Sequence, residues 1–111
     1  MKVADLPDIL GCTVFTPGSG ETVITGGYTS DLLSDVMGNA LEGDILITIQ
    51  GHKNSVAVAH LGNLPAILLC NGRQAPEAMI KAAEQEGIAI FSTSMNQFLA
   101  SHRIAIALGI E

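Results

Sequence analysis

The chain has 111 residues, of which 48% are apolar and only 14% are charged, and its formal net charge at neutral pH is −6. A chain of this length is expected to form one domain around one core. Its basic residues stand singly, at Lys2, Lys53, Arg73, Lys81 and Arg103, so the composition excludes a basic stripe for nucleic acid or for an anionic membrane.

The length of the apolar runs and the acids among the first eight residues favour a cytoplasmic protein. The longest apolar runs have the length of a strand rather than of a membrane span. The first eight residues contain acids where a signal peptide would be apolar. Cys12 and Cys70 form no CxxC pair, so we expect two reduced, buried thiols and no cofactor.

Hydrophobic spacing and turn residues divide the chain into alternating elements. In order, they are a short helix over 3–10, strands over 12–16 and 21–25, a helix from 30 to about 41, a strand over 44–50, a short helix over 56–61, a strand over 65–70, a helix over 76–86, a strand over 88–91 and a last helix towards 108. The alternation in residues 56–59 also permits a strand. We prefer the helix, because two parallel strands need a crossover between them.

This order predicts one α/β domain over residues 1–111, a three-layer α/β/α unit with a mostly parallel sheet of about five strands. Nearly continuous apolar runs at 44–50 and 65–70 are typical of strands buried on both faces. The side chains predicted to form most of the central core are Leu33, Val36, Ile45, Ile47, Ile67, Leu69, Ile90 and Phe91.

The stretch from Val23 to Met37 predicts a strand, a turn at Gly26-Gly27 and a helix with Ser30 as its N-cap. Such a unit directs backbone N–H groups and the positive end of a helix dipole at one spot. Asp31 and Asp35 fall opposite the apolar side of this helix, where we expect a solvated face rather than a cation site.

Ligands of parallel sheets bind beyond the carboxyl ends of the strands. Here the loops expected at those ends, 26–30, 50–52, 71–73 and 92–94, are rich in glycine and short polar residues. Ordinary turn chemistry explains the same residues, so the alternative of no site stays open. The predicted lining of a weak phosphate- or carboxylate-sized site, with the arginine as its cation, is Gly26, Gly27, Ser30, His52, Asn71, Gly72 and Arg73.

No catalytic constellation can be assembled from spacing. The chain has neither a G-x-G-x-x-G fingerprint nor a glycine followed by lysine, which a Walker A loop requires. His102 falls within an apolar helix face, where a core or interface histidine is expected. The low charge fraction, with Ile104, Leu108 and Ile110 near the end of the chain, predicts a homo-oligomer, most simply a dimer.

Three stretches together resemble the DRTGG domain family. They are Thr25–Met37, Gly43–Gln50 and Ala66–Arg73, and the ending Gly87–Thr93 agrees with them. The resemblance implies a fold similar to the N-terminal domain of HPr kinase/phosphorylase. Relatives occur beside phosphotransacetylase catalytic domains and between the CBS domains of some pyrophosphatases. Short stand-alone members are associated with iron-only hydrogenase and other redox proteins.

The family motif contains no catalytic residues, so the resemblance implies a regulatory or sensor domain that binds a small, possibly anionic ligand or a protein partner such as a redox enzyme. Two other functions stay open at this point. One is a phosphoryl-transfer or hydrolytic enzyme that uses the same cleft. The other is an iron–sulfur carrier, which requires Cys12 and Cys70 to converge in one chain or across a dimer.

Overall fold

The computed structural model describes residues 1–110. A 3-10 turn over Val3–Asp5 leads into the first helix. The helices are α1 (Leu6–Leu10), α2 (Leu33–Asn39), α3 (Lys53–Gly62), α4 (Glu77–Glu86) and α5 (Gln97–Ala107). The strands are β1 (Thr13–Thr16), β2 (Gly26–Thr29), β3 (Asp44–Thr48), β4 (Ala66–Leu69) and β5 (Ala89–Ser92). No helix among these residues is both long and apolar enough to cross a membrane.

The five strands form one sheet in the order β1-β5-β4-β3-β2. Strands β2, β3, β4 and β5 run parallel, and their crossovers are α2, α3 and α4. Strand β1 pairs antiparallel with β5, and its register shifts between Val14 and Thr16. The α/β class and the five strands are confirmed, and the sheet is mixed because of this one antiparallel pair.

Successive side chains of the central strands pack on opposite faces of the sheet, which gives the domain two core clusters. Ile45 and Ile47 join Leu6 and Ile104 on the face covered by α1 and α5. Leu46 joins the buried side chains of α3 and α4, including Met79, on the other face. The sheet therefore lies between two layers of helices, as expected for strands whose sequence is apolar throughout.

The predicted core is confirmed at seven of its eight positions. Leu33 is half-buried, because it lies in the first turn of α2, whose main buried side chain is Val36. The residues of that set that are at most 2% exposed are Val36, Ile45, Ile47, Ile67, Leu69, Ile90 and Phe91.

The predicted turn at Gly26-Gly27 is wrong, since both glycines lie in β2 and pair with Asp44 and Ile45. A side chain at Gly26 would bring its Cβ to 2.5 Å from Oδ1 of Asp44. This close approach of the carboxylate is the reason that glycine occupies the position. The predicted strand over 21–25 is also wrong. Only an isolated antiparallel bridge between Val23 and Lys2 forms there.

Two helix predictions near the ligand loops need correction. Ser30 does not cap α2: its Oγ accepts from the N–H of Leu32 at 3.2 Å, and the helix begins only at Leu33. His102 is exposed because α5 packs on the sheet through Ala100 and Ile104, so the core alternative is wrong and the interface alternative stays a prediction. The predicted helix within 56–61 is confirmed as the longer α3.

Candidate functional site

Four loops gather at the carboxyl edge of the parallel strands. They follow β2 at Ser30, β3 at Ile49, β4 at Cys70 and β5 at Thr93. Parallel strands that end together place the segments after them side by side, and the loops contact one another directly. Five of the seven residues of the predicted lining lie on these loops, namely Ser30, His52, Asn71, Gly72 and Arg73.

Gly26 and Gly27 lie outside this group. Gly26 pairs with Asp44, the first residue of β3, and therefore lies at the amino end of the parallel strands. Gly72 follows the carboxyl end of β4. A single site cannot be lined by both glycines, so the predicted lining is divided between two edges of the sheet.

The loop after β4 uses its backbone N–H groups within the protein. The N–H of Asn71 donates to the carbonyl of Met95 at 2.9 Å, and the N–H of Gly72 donates to the carbonyl of Thr93 at 2.8 Å. Both residues have positive φ, 57° and 66°, which turns the chain towards the β5 loop. The N–H of Arg73 donates to the carbonyl of Cys70 at 3.1 Å. An anion at this loop must therefore be bound by side chains.

The loops after β3 and β4 touch at Gly51. A Cβ built there would lie 2.9 Å from the carbonyl oxygen of Gln74, so only glycine permits this approach. The next residue, His52, is the N-cap of α3, and its Nδ1 accepts from the N–H of Asn54 at 3.0 Å. An accepting Nδ1 carries no proton, so the neutral imidazole has its proton on Nε2.

Asp31 connects the β2 loop to the rest of this edge. Its Oδ1 accepts three hydrogen bonds, from Oγ1 of Thr48 at 3.0 Å, from the N–H of Ile49 at 3.0 Å and from Nε2 of Gln97 at 2.9 Å. The side chain is half-buried, so the predicted solvated face is wrong for this residue. The sequence pattern placed Asp31 in the first turn of a helix, so no local signal pointed to this role.

Asp35, the second acid of that predicted face, also has partners. Its Oδ2 accepts from the hydroxyl of Tyr28 at 2.8 Å, and its Oδ1 accepts from Nδ2 of Asn39 at 3.0 Å. Hydrogen bonds from the hydroxyls of Ser30 and Tyr28 hold the pKa of the Asp35 carboxyl below its ordinary value. The two acids are thus separate structural anchors, and they do not converge on one cation.

Three of the five cations, Lys53, Arg73 and Arg103, have no ion pair within residues 1–110, and the first two lie at the carboxyl edge. Lys2 pairs with Glu21 at 2.8 Å, and Lys81 pairs with Glu77 at 3.1 Å. Lys53 begins α3 after the β3 loop, and Arg73 lies in the β4 loop. Both side chains belong to exposed residues on neighbouring, touching loops. Lys53 was not among the residues predicted from the sequence.

The thiol beside this edge is poorly suited to nucleophilic or ligand chemistry. Burial, with the nearby negative charge of Asp31, raises the pKa of Cys70 to about 11. Burial also raises the pKa of the half-buried Cys12 thiol. Within residues 1–110, no group of three or more histidines, cysteines and acids is arranged to hold a metal ion.

A cleft of about 410 Å³ lies at the opposite, amino-terminal edge of the sheet. Nδ1 of His60 lies 2.9 Å from Oε2 of Glu86 in its wall, and Glu42 adds a second carboxylate. Its charge is opposite in sign to that of the carboxyl edge, so it does not suit the predicted anion.

None of the known family models and none of the curated proteins matches the chain. One solved structure that is similar is "Crystal structure of the CBS and DRTGG domains of the regulatory region of Clostridium perfringens pyrophosphatase complexed with activator, diadenosine tetraphosphate". The TM-score is 0.69 at 17% sequence identity, over 92% of this chain and 46% of that one. The fold is DRTGG-like. The chain spans less than half the length of that structure, and at this identity the likeness concerns the fold alone.

Proposed function

We propose that this chain is a non-catalytic regulatory domain that binds a small anionic ligand at the carboxyl edge of its sheet. The observation that carries the proposal is the placement of Lys53 and Arg73. In a chain of net charge −6, two of the three cations without an acidic partner among residues 1–110 lie on adjacent loops that touch through Gly51. Their charges are free to meet an anion.

The proposed lining consists of side chains rather than of a backbone nest. Arg73 offers a planar donor fork that suits phosphate or carboxylate, and Lys53 adds a point charge. Ser30, His52 and the Asn71-Gly72 turn complete the proposed site, whereas Gly26 and Gly27 are left out because they lie at the other edge. An exposed site with two cations supports modest affinity that falls as salt rises.

The similar structure supports the same class of function. It is a regulatory region in complex with a phosphate-rich activator, diadenosine tetraphosphate, which is an anionic small molecule. For the present chain we propose only the shared chemistry, which is recognition of a phosphate or carboxylate group by a domain that regulates another protein. Self-association, a cytoplasmic location and a redox-enzyme partner belong to the same proposal, and the last follows from the family resemblance.

Calorimetric titration with inorganic phosphate, pyrophosphate and diadenosine tetraphosphate tests the site. Arg73→Ala and Lys53→Ala should each weaken binding of the anion by up to about fivefold, since an exposed ion pair contributes up to about 1 kcal/mol. Arg103→Ala is the matched control, because that guanidinium contacts the carbonyl of Ile9 at 3.4 Å on another part of the surface. Equal binding by the Arg73 variant and the control, or no binding of any of the three anions, would overturn the proposal.

A further inference from the structure

An open groove of about 470 Å³ lies between helices α3 and α4. The apolar walls of this α3–α4 groove are Val56, Ala57 and Leu61 from α3 and Ala82 from α4. The short side chains at positions 57 and 82 leave the space between the two helices unfilled. Its volume falls within the range of about 300–1,000 Å³ that is typical of small-molecule sites.

The two ends of the groove differ in charge. Lys53, the first residue of α3, lies at one end and has no ion pair within residues 1–110. The other end is formed by His60 and Glu86, whose Nδ1 and Oε2 atoms are 2.9 Å apart. Because a helix rises about 1.5 Å per residue, the two ends are about 10 Å apart along α3. An anionic group is therefore attracted to the Lys53 end, which is also the positive end of the α3 dipole, and is repelled by the carboxylate at the far end.

Lys53 belongs both to the groove and to the proposed anion site. It follows the β3 loop, which touches the β4 loop of Arg73 where Gly51 approaches the carbonyl oxygen of Gln74. A ligand whose anionic group meets these two cations at the carboxyl edge can extend along α3 without leaving the surface of the protein. The groove thus continues the proposed site.

We infer that the ligand of this site is a free amphiphilic anion, a phosphate or carboxylate that carries an aliphatic chain, and that the chain lies in the α3–α4 groove. The inference rests on the proposed function and names the chemical class of its ligand. The walls of the groove are aliphatic. Among the described residues that line it, the one ring is the imidazole of His60, which is already paired with Glu86. A chain therefore suits the groove better than a flat base that would need an aromatic side chain on which to stack.

A small molecule fits the groove better than a partner helix or a membrane does. A docked helix inserts several apolar anchors and meets several in return, whereas Leu61 is the one large apolar side chain that is exposed among the described lining residues. An anionic membrane surface is repelled by the net charge of −6. A short chain needs only the walls of the groove, because the transfer of its methylene groups out of water supplies the free energy.

Calorimetric titration with inorganic phosphate, butyl phosphate and octyl phosphate tests the inference, with octyl phosphate kept below the concentration at which it forms micelles. The three probes share one head group and differ in the chain. Octyl phosphate should bind at least about tenfold more tightly than butyl phosphate, since a fully buried methylene contributes up to about fourfold and the groove is open on one side. Lys53→Ala should weaken the binding of both alkyl phosphates and preserve the ratio of their affinities.

Two alanine positions provide a matched pair of variants. Ala57→Gln places a neutral polar side chain in the groove and should reduce the affinity ratio of octyl to butyl phosphate to below about threefold. Ala78→Gln makes the same change at an exposed position of α4 that does not line the groove, and it should keep the wild-type ratio.

The outcomes separate this inference from the proposed function. A wild-type ratio below about threefold, with phosphate itself bound, would overturn the inference and leave the proposed function standing. No binding of any of the three probes would overturn both. A ratio that survives Ala57→Gln, or binding of octyl phosphate that Lys53→Ala leaves unchanged, would also overturn the inference, because the chain or the head group would then lie elsewhere.

Sedimentation tests the other occupants of the groove. The wild type and Ala57→Gln should have the same mass, and the wild type should stay in the supernatant when vesicles of phosphatidic acid are pelleted. A wild-type dimer that dissociates in Ala57→Gln would show that a second copy occupies the groove, and it would overturn the inference. Protein that pellets with the vesicles would identify a membrane lipid as the source of the anion and would overturn the assignment of a free ligand.

Discussion

Oδ1 of Asp31 lies 2.9 Å from Nε2 of Gln97, although the two residues are 66 positions apart in the sequence. The same oxygen accepts from Thr48 and from the backbone of Ile49, so one carboxylate joins the loops after β2, β3 and β5. The polar edge of the sheet is thus held together by an acid rather than by the glycines.

Asp31→Ala should lower the free energy of unfolding by about 1–3 kcal/mol, because three donors lose their acceptor in a half-buried position. Asp31→Asn retains an oxygen acceptor and should cost less. Urea denaturation measures both values. Asp8→Ala, at an exposed position in α1, serves as the control and should change stability by less than about 0.5 kcal/mol. Equal stability of Asp31→Ala and the control would contradict the anchoring role.

Gly51→Ala should destabilise the fold by about 1–3 kcal/mol, since the added Cβ would lie 2.9 Å from the carbonyl oxygen of Gln74 and force the two loops apart. Gly38→Ala provides the opposite case. Gly38 lies within α2 with open space around it, so alanine should stabilise the helix by roughly 0.5–1 kcal/mol. Thermal unfolding distinguishes them, and changes of the same sign would refute this account of Gly51.

Leu69→Ala should cost about 2–5 kcal/mol, because Leu69 is fully buried in the cluster between the sheet and helices α3 and α4. Leu61→Ala removes the same atoms from a side chain that is 70% exposed, and the change should stay within about 0.5 kcal/mol. Denaturant titration gives both values. A loss below about 1 kcal/mol at Leu69 would show that the site collapses around the deletion.

The Cys70 thiol should make stability fall with pH in alkaline solution. Burial and the charge of Asp31 raise its pKa from 9.0 to about 11, so above pH 9 the unfolded chain releases this proton before the folded chain does. Stability therefore declines as the pH rises from about 9 to about 11. Cys70→Ala should remove this part of the slope in unfolding curves recorded over that range. An unchanged slope would show that the thiol is not held protonated by the fold.

Tyr28→Phe should raise the pKa of the Asp35 carboxyl towards its ordinary value of 3.8, since the hydroxyl that donates to it at 2.8 Å is lost. The shift should be partial, because the hydroxyl of Ser30 and the amide of Asn39 also lower that pKa. Titration followed by carboxyl-carbon NMR measures the change. A value in the variant equal to that of the wild type would mean that the hydrogen bond is absent in solution.

Much of the fold was predictable because its signals are local. Apolar runs at Asp44–Gln50 and Pro65–Cys70 indicate strands buried on both faces, and they became β3 and β4. Local residues also end the helices, since Oδ1 of Asn96 accepts from the N–H of Leu99 at 2.9 Å and Gly87 has φ of 67°. Such features depend on a few neighbouring residues and need no knowledge of the rest of the chain.

The errors occur where a distant partner decides the outcome. Gly26-Gly27 has the local signature of a turn, yet both glycines pair with β3 as a strand. The carboxylate of Asp44 leaves no room for a side chain at Gly26. Asp31 has the local signature of an exposed helix residue, yet three donors from two other segments, the end of β3 and the start of α5, fix it at the sheet edge. By itself the sequence determined the class of fold, the core and the carboxyl-edge loops. Only the tertiary structure decided which glycines and acids meet there, because long-range hydrogen bonds outweigh the weak local preference of a single residue.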